Sequence, residues 1–597
     1  MKKTRRSIRT LLLCFTCIGS FCFSLHAKTY YLDAVTGNDT FPGTSTQPWK
    51  TLSKSIAEAI NSDSIFIMNG NYGAYIENRG SANRSNWITY IASSGQTSVI
   101  FEYIRVTGTE VNAYLHFEGI DIFYPAQPTC PPVGNAIDIT SFTGVNFITL
   151  KNCRIHSENT YDSGGGVYFN HRLNSTTEVH DLLVDHCEIF QSGTGIRFSG
   201  SKTTILHCEI HHIHGTMIGN LCGPMSATDL NSATNVLIED NHLHDMHFYT
   251  SEPCYDTPGW STAHASIIGI RGRDWIVRNN HIHDTWSPGI QLYGDDCGGQ
   301  YDRANLLFEN NLFYDNQGYQ VFYNPGTGGG SYIGGDIIFR HNTIISGRQD
   351  SAWTYQDDPV DRFKASGHVQ SISLILSPPS VNPYDGSGTI FEDNIFIAET
   401  GIGNFNYQAF NDPDAKWIMR NNLIYTKLWN CGPLDPSNYI ITDNISNGVV
   451  PADYIDSQLF EASNYTKQHG MTHGPGSLFD LTPKPDGIIC TMSTTGGYVG
   501  AIACNTSNLT EDNNASSSML VYPNPVTDHL TIHFTDENVI PHKAILWITD
   551  ITGHILHSSP ITAAESRIEM EHYAKGVYFL HITAENENIA TRKIVVQ

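Results

Sequence analysis

Charge is scarce in this sequence. Only 16% of its 597 residues are Asp, Glu, Lys or Arg, and the cations, 34 against 59 anions, are the scarcer sign. The formal charge is −25. So acidic a surface disfavours non-specific binding to a phosphate backbone, and no nucleic-acid partner is expected. It also disfavours acidic glycans except where a local basic patch overrides it. Beyond the first 27 residues, no run reaches the roughly 18 continuous apolar residues that a membrane helix needs. The mature chain is therefore expected to lack a transmembrane segment. It also lacks any CxxC or HExxH spacing, so no familiar zinc motif stands out.

The present residues suit a large all-β core: 40% are apolar, 11% aromatic, and Gly is frequent. Residues 1–27 read as a signal peptide, with Lys2, Lys3, Arg5, Arg6 and Arg9 ahead of an apolar stretch and Ala27 before the cut. Losing those five cations takes the mature chain to a charge of about −30, which also keeps an exported protein soluble. Ten of the 13 cysteines remain. Cys222, Cys254 and Cys297 lie in long loops, and Cys490 and Cys504 are close enough in sequence to pair, although spacing alone does not fix connectivity.

An irregular internal repeat organises the chain. Ten segments, among them ITLKNCRIH, LLVDHCEIF, VLIEDNHLHD and LLFENNLFYD, run apolar-x-apolar, two variable residues, Asn or Cys, then a second apolar stretch. The equivalent residues are Cys153, Cys187, Cys208, Asn241, Asn280, Asn311, Asn342, Asn394, Asn422 and Asn444. Each apolar-x-apolar run is a short strand with one inward face, and stacking copies satisfies every backbone group. An Asn at the bend can bond to the next Asn; Cys is a small residue that buries well. Rungs of about 21–22 residues fit a right-handed parallel β-helix and not a propeller, whose blades need roughly 40. Residues 48–61 read as an amphipathic capping helix with Leu52, Ile56 and Ile60 on one face.

The opening YYLDAVTGNDTFPGTSTQPWKTLSKSIAEA, with SIFIMNGNYG after it and LFDLTPKPDG and GGYVGAIA near residue 500, resembles secreted bacterial β-helix proteins of the pectate lyase-like class. The resemblance spans 28–504. It implies a polysaccharide partner, but the class holds lyases, hydrolases, epimerases and non-catalytic adhesins. Polar residues 505–518 read as a linker. Residues 519–597 form a small β-sandwich-like unit that resembles the sorting domain of type IX secretion cargo: Tyr522-Pro523-Asn524-Pro525, Gly576-Val577-Tyr578-Phe579 and Lys593 to Val596 match its opening, late and closing strands. This implies export by that machinery and release or attachment at the cell surface.

In a solenoid, function lies on an outward face and in inserted loops. A second strand set, GVYFN, GIRFSG, IIGIRG, GIQLYG and QVFYNPG, aligns Tyr168, Arg197, Gly269, Gln291 and Phe322 in one outward column. Asn170, Ser199, Arg271, Tyr293 and Asn324 form the next, and Arg273, Asp274, Asp295 and Asp296 follow at the strand ends. Tyr168, Arg197, Gln291 and Tyr293 are the candidate substrate-binding residues, since aromatics stack on sugar rings and Arg grips a carboxylate. A lyase reading assigns Arg271 and Arg273 to charge neutralisation, His264 or an Arg as base, and Asp295 and Asp296 as oxygen ligands for Ca²⁺. A glycoside hydrolase would use two carboxylates among Asp274, Asp295 and Asp296, and an adhesin would use the same surface without chemistry. The arginines could also simply neutralise nearby acids. His156, His211, His244 and His283 share one repeat position and read as an outward stack at a turn. As metal ligands they would come from coils too far apart for one ion, while the HxH pairs His242/His244 and His281/His283 could bind adventitiously.

Overall fold

In the computed structural model the described residues run from 27 to 346 with breaks, the longest at 221–232 and 247–265. They continue in short stretches from 388 to 503, and from 519 to 596 with short breaks. The chain divides into two compact units, Met1–Cys504 and Asn505–Gln597.

The first unit is a right-handed parallel β-helix. One coil runs Val111–Glu118, Asp121–Tyr124, Asn135–Ser141, and each of these strands pairs in parallel with its counterpart one coil later. Three sheets result, here numbered in the order the chain visits them. Among the described residues, sheet 1 has 13 strands, from Thr29–Leu32 to Ile418–Arg420. Sheet 2 also has 13, from Gly70–Asn71 to Tyr439–Ile441, and sheet 3 has 9, from Tyr75–Asn78 to Val321–Tyr323. Alternation sends Val111, Ala113, Leu115 and Phe117 inward, all fully buried, and the inward residues of successive coils join in one core.

From Gly119–Ile120 onward the described corners between sheets 1 and 2 are two residues long, and their chemistry explains the repeat. The first is left-handed: Asn152, His186, His207, Asp240, Asn279, Asn310, His341, Asp393 and Asn421 have φ between 51 and 56°. Asn and Asp tolerate that conformation better than most residues. The second is the buried Cys or Asn identified from the sequence. Asn241, Asn280, Asn311, Asn342, Asn394 and Asn422 form a continuous ladder, each Nδ2 donating to the next Oδ1 at 2.9–3.0 Å. Asn444 lies outside the described residues. Cys153, Cys187 and Cys208 are free and buried at the same place, and Cys208 and Cys153 donate to the carbonyls of Leu206 and Lys151 at 3.1 and 3.3 Å. Burial raises the thiol pKa of Cys153 and Cys187 well above its usual value.

The N-terminal helix is shorter than its sequence pattern. It spans Leu52–Glu58, with Thr51 as N-cap accepting from Lys54 N. Leu52 joins the core, Ile56 is half-buried, and Ile60 falls beyond the helix and is 42% exposed. The turn at Ala59, extended at φ −70 and ψ 135, ends the helical face before Ile60 can use it. At the far end Gly500 N donates to Asp393 O, and Ala501 N donates to Thr343 Oγ1, so part of the GGYVGAIA segment returns onto the coils. Cys490 is disulfide-bonded; Cys504 lies outside the described residues.

The second unit holds two antiparallel sheets of three and four strands around a separate core that includes Leu530, Ile532, Leu546, Ile548 and Ile582. Gly576–Ala584 and Glu587–Val596, which carry the late and closing motifs, pair with each other along their length. The signal peptide and the linker 505–518 lie outside the described residues.

Candidate functional site

The outward column expected from sequence exists on sheet 3, with one coil more than its five residues. Register links Tyr168 to Arg197, Arg197 to Gly219, Gly219 to Gly269, Gly269 to Gln291, and Gln291 to Phe322. Toward the N-terminus it continues through Asp138, Arg105 and Ile76. The inward neighbours Val167, Phe169, Ile196, Phe198 and Ile218 are fully buried, which points the column outward.

Two features distinguish this column. Gly219 and Gly269 leave two successive rungs without side chains. At Gly219 an added Cβ would stand 2.8 Å from Thr216 Cγ2, 3.7 Å from Gly269 O and 3.9 Å from Arg197 Cδ, so the Thr216 methyl and the arginine stem border this buried glycine rung. Arg197 and Gln291 flank this floor, three strand spacings or about 14 Å apart, with Tyr168 one rung further. Gln291 is 6% exposed, and its buried Oε1 has no hydrogen-bond partner among the described residues. Such an acceptor carries a penalty that a ligand hydroxyl would relieve. Two rungs beyond Arg197, Asp138 faces Arg105 at 3.9 Å, and Arg105 lies over the Tyr103 ring.

The other expected residues divide between a different face and undescribed segments. Arg273 and Asp274 open a strand of sheet 1, Gly272–Arg278, where Arg273 pairs in register with Thr234. The chain turns the corner at Gly272, φ 143°, so these residues leave the sheet 3 face. There Arg273 Nε lies 3.5 Å from Asp274 Oδ2. Arginine as neutraliser of a neighbouring acid also describes sheet 1 elsewhere: Arg278, Arg340 and Arg420 each bond a glutamate one coil earlier. Of the second column, Asn170 is on a sheet 3 strand and Ser199 directly follows one. His264, Arg271, Tyr293, Asn324, Asp295 and Asp296 lie outside the described residues.

Sheet 2 carries the histidine stack. Phe123, His156, Phe190, His211, His244, His283 and Tyr314 follow one another in register. From His156 onward the rings are nearly parallel, with centroids 4.5–5.2 Å apart. The expected stack is present, within strands and not at a turn. Beside it runs a second outward column, Asp121, Arg154, Glu188, Glu209, His242 and His281. Burial first, then the neighbouring His244 and His283, press the His242 pKa down to about 3. Burial also lowers that of His244, but Asp245 and then Glu209 outweigh it and leave it raised. Two groups of side chains among the described residues could hold a metal: Asp185, His186 and His207, and Glu209, His242 and His244. Both are rich in imidazole, and neither has the all-oxygen donor set that Ca²⁺ prefers.

Fold and site together define the class: an exported right-handed parallel β-helix protein with a C-terminal sorting domain. Residues 520–597 match the secretion system C-terminal sorting domain, residues 223–361 the right handed beta helix region, and residues 35–80 a family described only as a protein of unknown function (DUF1565). The chain is cargo of type IX secretion, secreted or attached to the cell surface. No curated protein matches the sequence. Solved structures of similar fold include the GH136 lacto-N-biosidase from Eubacterium ramulus, at 15% identity and TM-score 0.42, covering 67% of this chain and 68% of that one. A rhamnogalacturonan lyase aligns at 16% identity and TM-score 0.38, covering 66% of this chain and 87% of that one. Pectate lyase Pel9A aligns at 14% identity and TM-score 0.31, covering 80% and 96%. The likeness is one of fold.

Proposed function

We propose that this protein acts on an extracellular polysaccharide along the outward face of sheet 3, as a lyase on uronic-acid units. The observation that carries the reading is the pair of side-chain-free rungs, Gly219 and Gly269, between Arg197 and Gln291. A pyranose ring can lie flat on backbone where side chains are missing. Tyr168 offers a stacking face, Arg197 a bidentate partner for a carboxylate, and the Gln291 carbonyl an acceptor for a hydroxyl.

Those parts suit β-elimination. A base takes the C5 proton, the C4–O bond breaks as the C4–C5 double bond forms, and the departing oxygen takes up a proton. The uronate carboxylate must be neutralised for C5 to become acidic, and Arg197 is the cation of this face best positioned to do so. Arg271, which directly follows the strand Ile268–Ile270, and His264 are the candidates for the base. Arg273 has no part in this reading, because it stands on sheet 1 beside Asp274. The one carboxylate that the column supplies among its described residues is Asp138, whereas a hydrolase needs two across the bond.

The test is incubation of the purified full chain with acidic and neutral polysaccharides. A lyase yields an unsaturated end that absorbs in the ultraviolet, and Arg197→Ala should reduce that signal by roughly 100-fold or more, the scale of a lost transition-state charge contact. New reducing ends without the absorbance would make it a hydrolase, and binding without either product an adhesin. Gly219→Leu should block all three by filling the floor. Unchanged binding and turnover in both variants would remove the site from sheet 3.

A further inference from the structure

The two outward columns of sheet 2 interlock on a diagonal. Each imidazole of the ring stack reaches back one coil to the neighbouring column. His156 Nε2 meets Asp121 at 2.9 Å, His211 Nε2 meets Glu188 at 3.4 Å, and His244 Nε2 meets Glu209 at 3.2 Å. At the next step the pattern breaks, because the diagonal partner of His283 is an imidazole. His283 Nε2 and His242 Nε2 are 2.7 Å apart. This is where nitrogen and carboxylate donors crowd together.

We propose that Glu209, His242 and His244 bind a divalent transition-metal ion of the zinc class. Glu209 Oε1 lies 3.2 Å from His244 Nε2 and 4.0 Å from His242 Nδ1. Three such atoms bonded to one zinc at about 2.0–2.1 Å would sit roughly 3.4 Å from each other in tetrahedral geometry. The separations present are within a side-chain adjustment of that value.

The second observation concerns the ring nitrogens that face away. A metal-bound histidine usually has its other nitrogen held by a carboxylate or another polar group, which fixes the ring. Here His244 Nδ1 is held by Asp245 Oδ2 at 2.7 Å, and His242 Nε2 by His283 Nε2 at 2.7 Å. Both rings are also clamped by neighbours, His244 between His211 and His283 at about 5 Å each. His244 is 1% exposed while Glu209 is half exposed, so an ion could be reached from one side of an otherwise fixed site. Two imidazoles and one carboxylate favour zinc over calcium, and three protein ligands leave a fourth position for water or an anionic group.

The Asp185, His186 and His207 group differs. There both Nδ1 atoms converge on one oxygen of Asp185, at 2.6 and 3.0 Å, and the rings are about half exposed. It serves as an internal control.

The experiment is a calorimetric titration of chelator-stripped full chain with Zn²⁺, with the visible spectrum of Co²⁺ as a second readout of four-coordinate nitrogen and oxygen ligation. One ion per chain is expected at the strongest site. Glu209→Gln changes a half-exposed side chain and preserves the stack, and it should weaken that site by at least about 10-fold. His242→Ala should abolish it, and Asp245→Asn should weaken it by about 10- to 100-fold. His186→Ala should leave it unchanged. Wild-type stoichiometry and affinity retained in both Glu209→Gln and His242→Ala, or no zinc bound by the wild type, would overturn the proposal.

Discussion

The early and late coils solve the same corner with different chemistry. From Cys153 to Cys208 the buried corner residue is a thiol that bonds weakly to carbonyls of its own coil and, at 3.5–3.6 Å, of the coil before. From Asn241 to Asn422 it is an amide that ties each coil to the next. The left-handed residue before it keeps its conformation throughout, φ 51–56°. The backbone thus favours a buriable residue at this position, and the choice of residue decides how strongly the corner ties one coil to the next.

The largest expected effect breaks the amide half. Asn311→Ala removes the acceptor for Asn280 N and Nδ2 and the donor to Val277 O and Asn342 Oδ1. Buried groups left unpaired cost about 1–3 kcal/mol each where water cannot reach them. The midpoint of denaturant unfolding should therefore fall by the equivalent of about 3–4 kcal/mol. Cys187→Ala, at the same corner, should cost only about 1 kcal/mol, because it deletes a small apolar volume and a weak bond. Equal losses at the two positions would end the distinction.

A smaller effect sharpens it. Asn241 Oδ1 already accepts from Cys208 N at 2.9 Å, so Cys208→Asn would place a new amide within reach of the ladder's first member. It should be neutral or stabilising by up to about 1 kcal/mol. Cys153→Asn would stand between Ile120 and Cys187, neither of which offers an amide, and should destabilise. The smallest effect separates amide from carboxylate. Near the capping helix, Asp39 accepts from Lys50 N, Thr51 N and Thr51 Oγ1. Burial raises its pKa, but the Thr51 hydroxyl and then the two backbone bonds outweigh that and leave it lowered. Its contribution is complete above the ordinary value of 3.8 and fades as pH falls through the lower folded value. Trp49 fluorescence during acidification from about pH 5 to about pH 2 should report this fraying, and Asp39→Asn should shift it; the uncharged ladder should not respond in that range.

The repeat, the corner residues and most of the sheet 3 column were legible in the sequence, because strand alternation and a two-residue corner leave a fixed local signature. Gly219 was missed because its strand, Ile218–Asn220, is short and stands ahead of a long insertion, so the coil did not announce itself. Arg273 was misjudged because nothing local in IIGIRGRD marks Gly272 as the point where one sheet ends and another begins. The sheet 2 diagonals were invisible for another reason. They join residues 35, 23, 35 and 41 positions apart, and insertions of unequal length hide a contact that is regular in space. The HxH spacing marked His242 and His244 as a possible metal pair, but Glu209, which stands one coil earlier in the column of His242, carries no local signature.

The invariant corner has an evolutionary corollary. With this hinge held to two residues in the described coils from Cys187 to Asn394, changes in length there are absorbed at the other two, and separations between successive coils accordingly range from 21 to 52 residues. Segments at those two corners can be lengthened, shortened or exchanged while the spine stays in step. A scaffold of this kind can acquire a new rim around its sheet 3 face without renegotiating its interior.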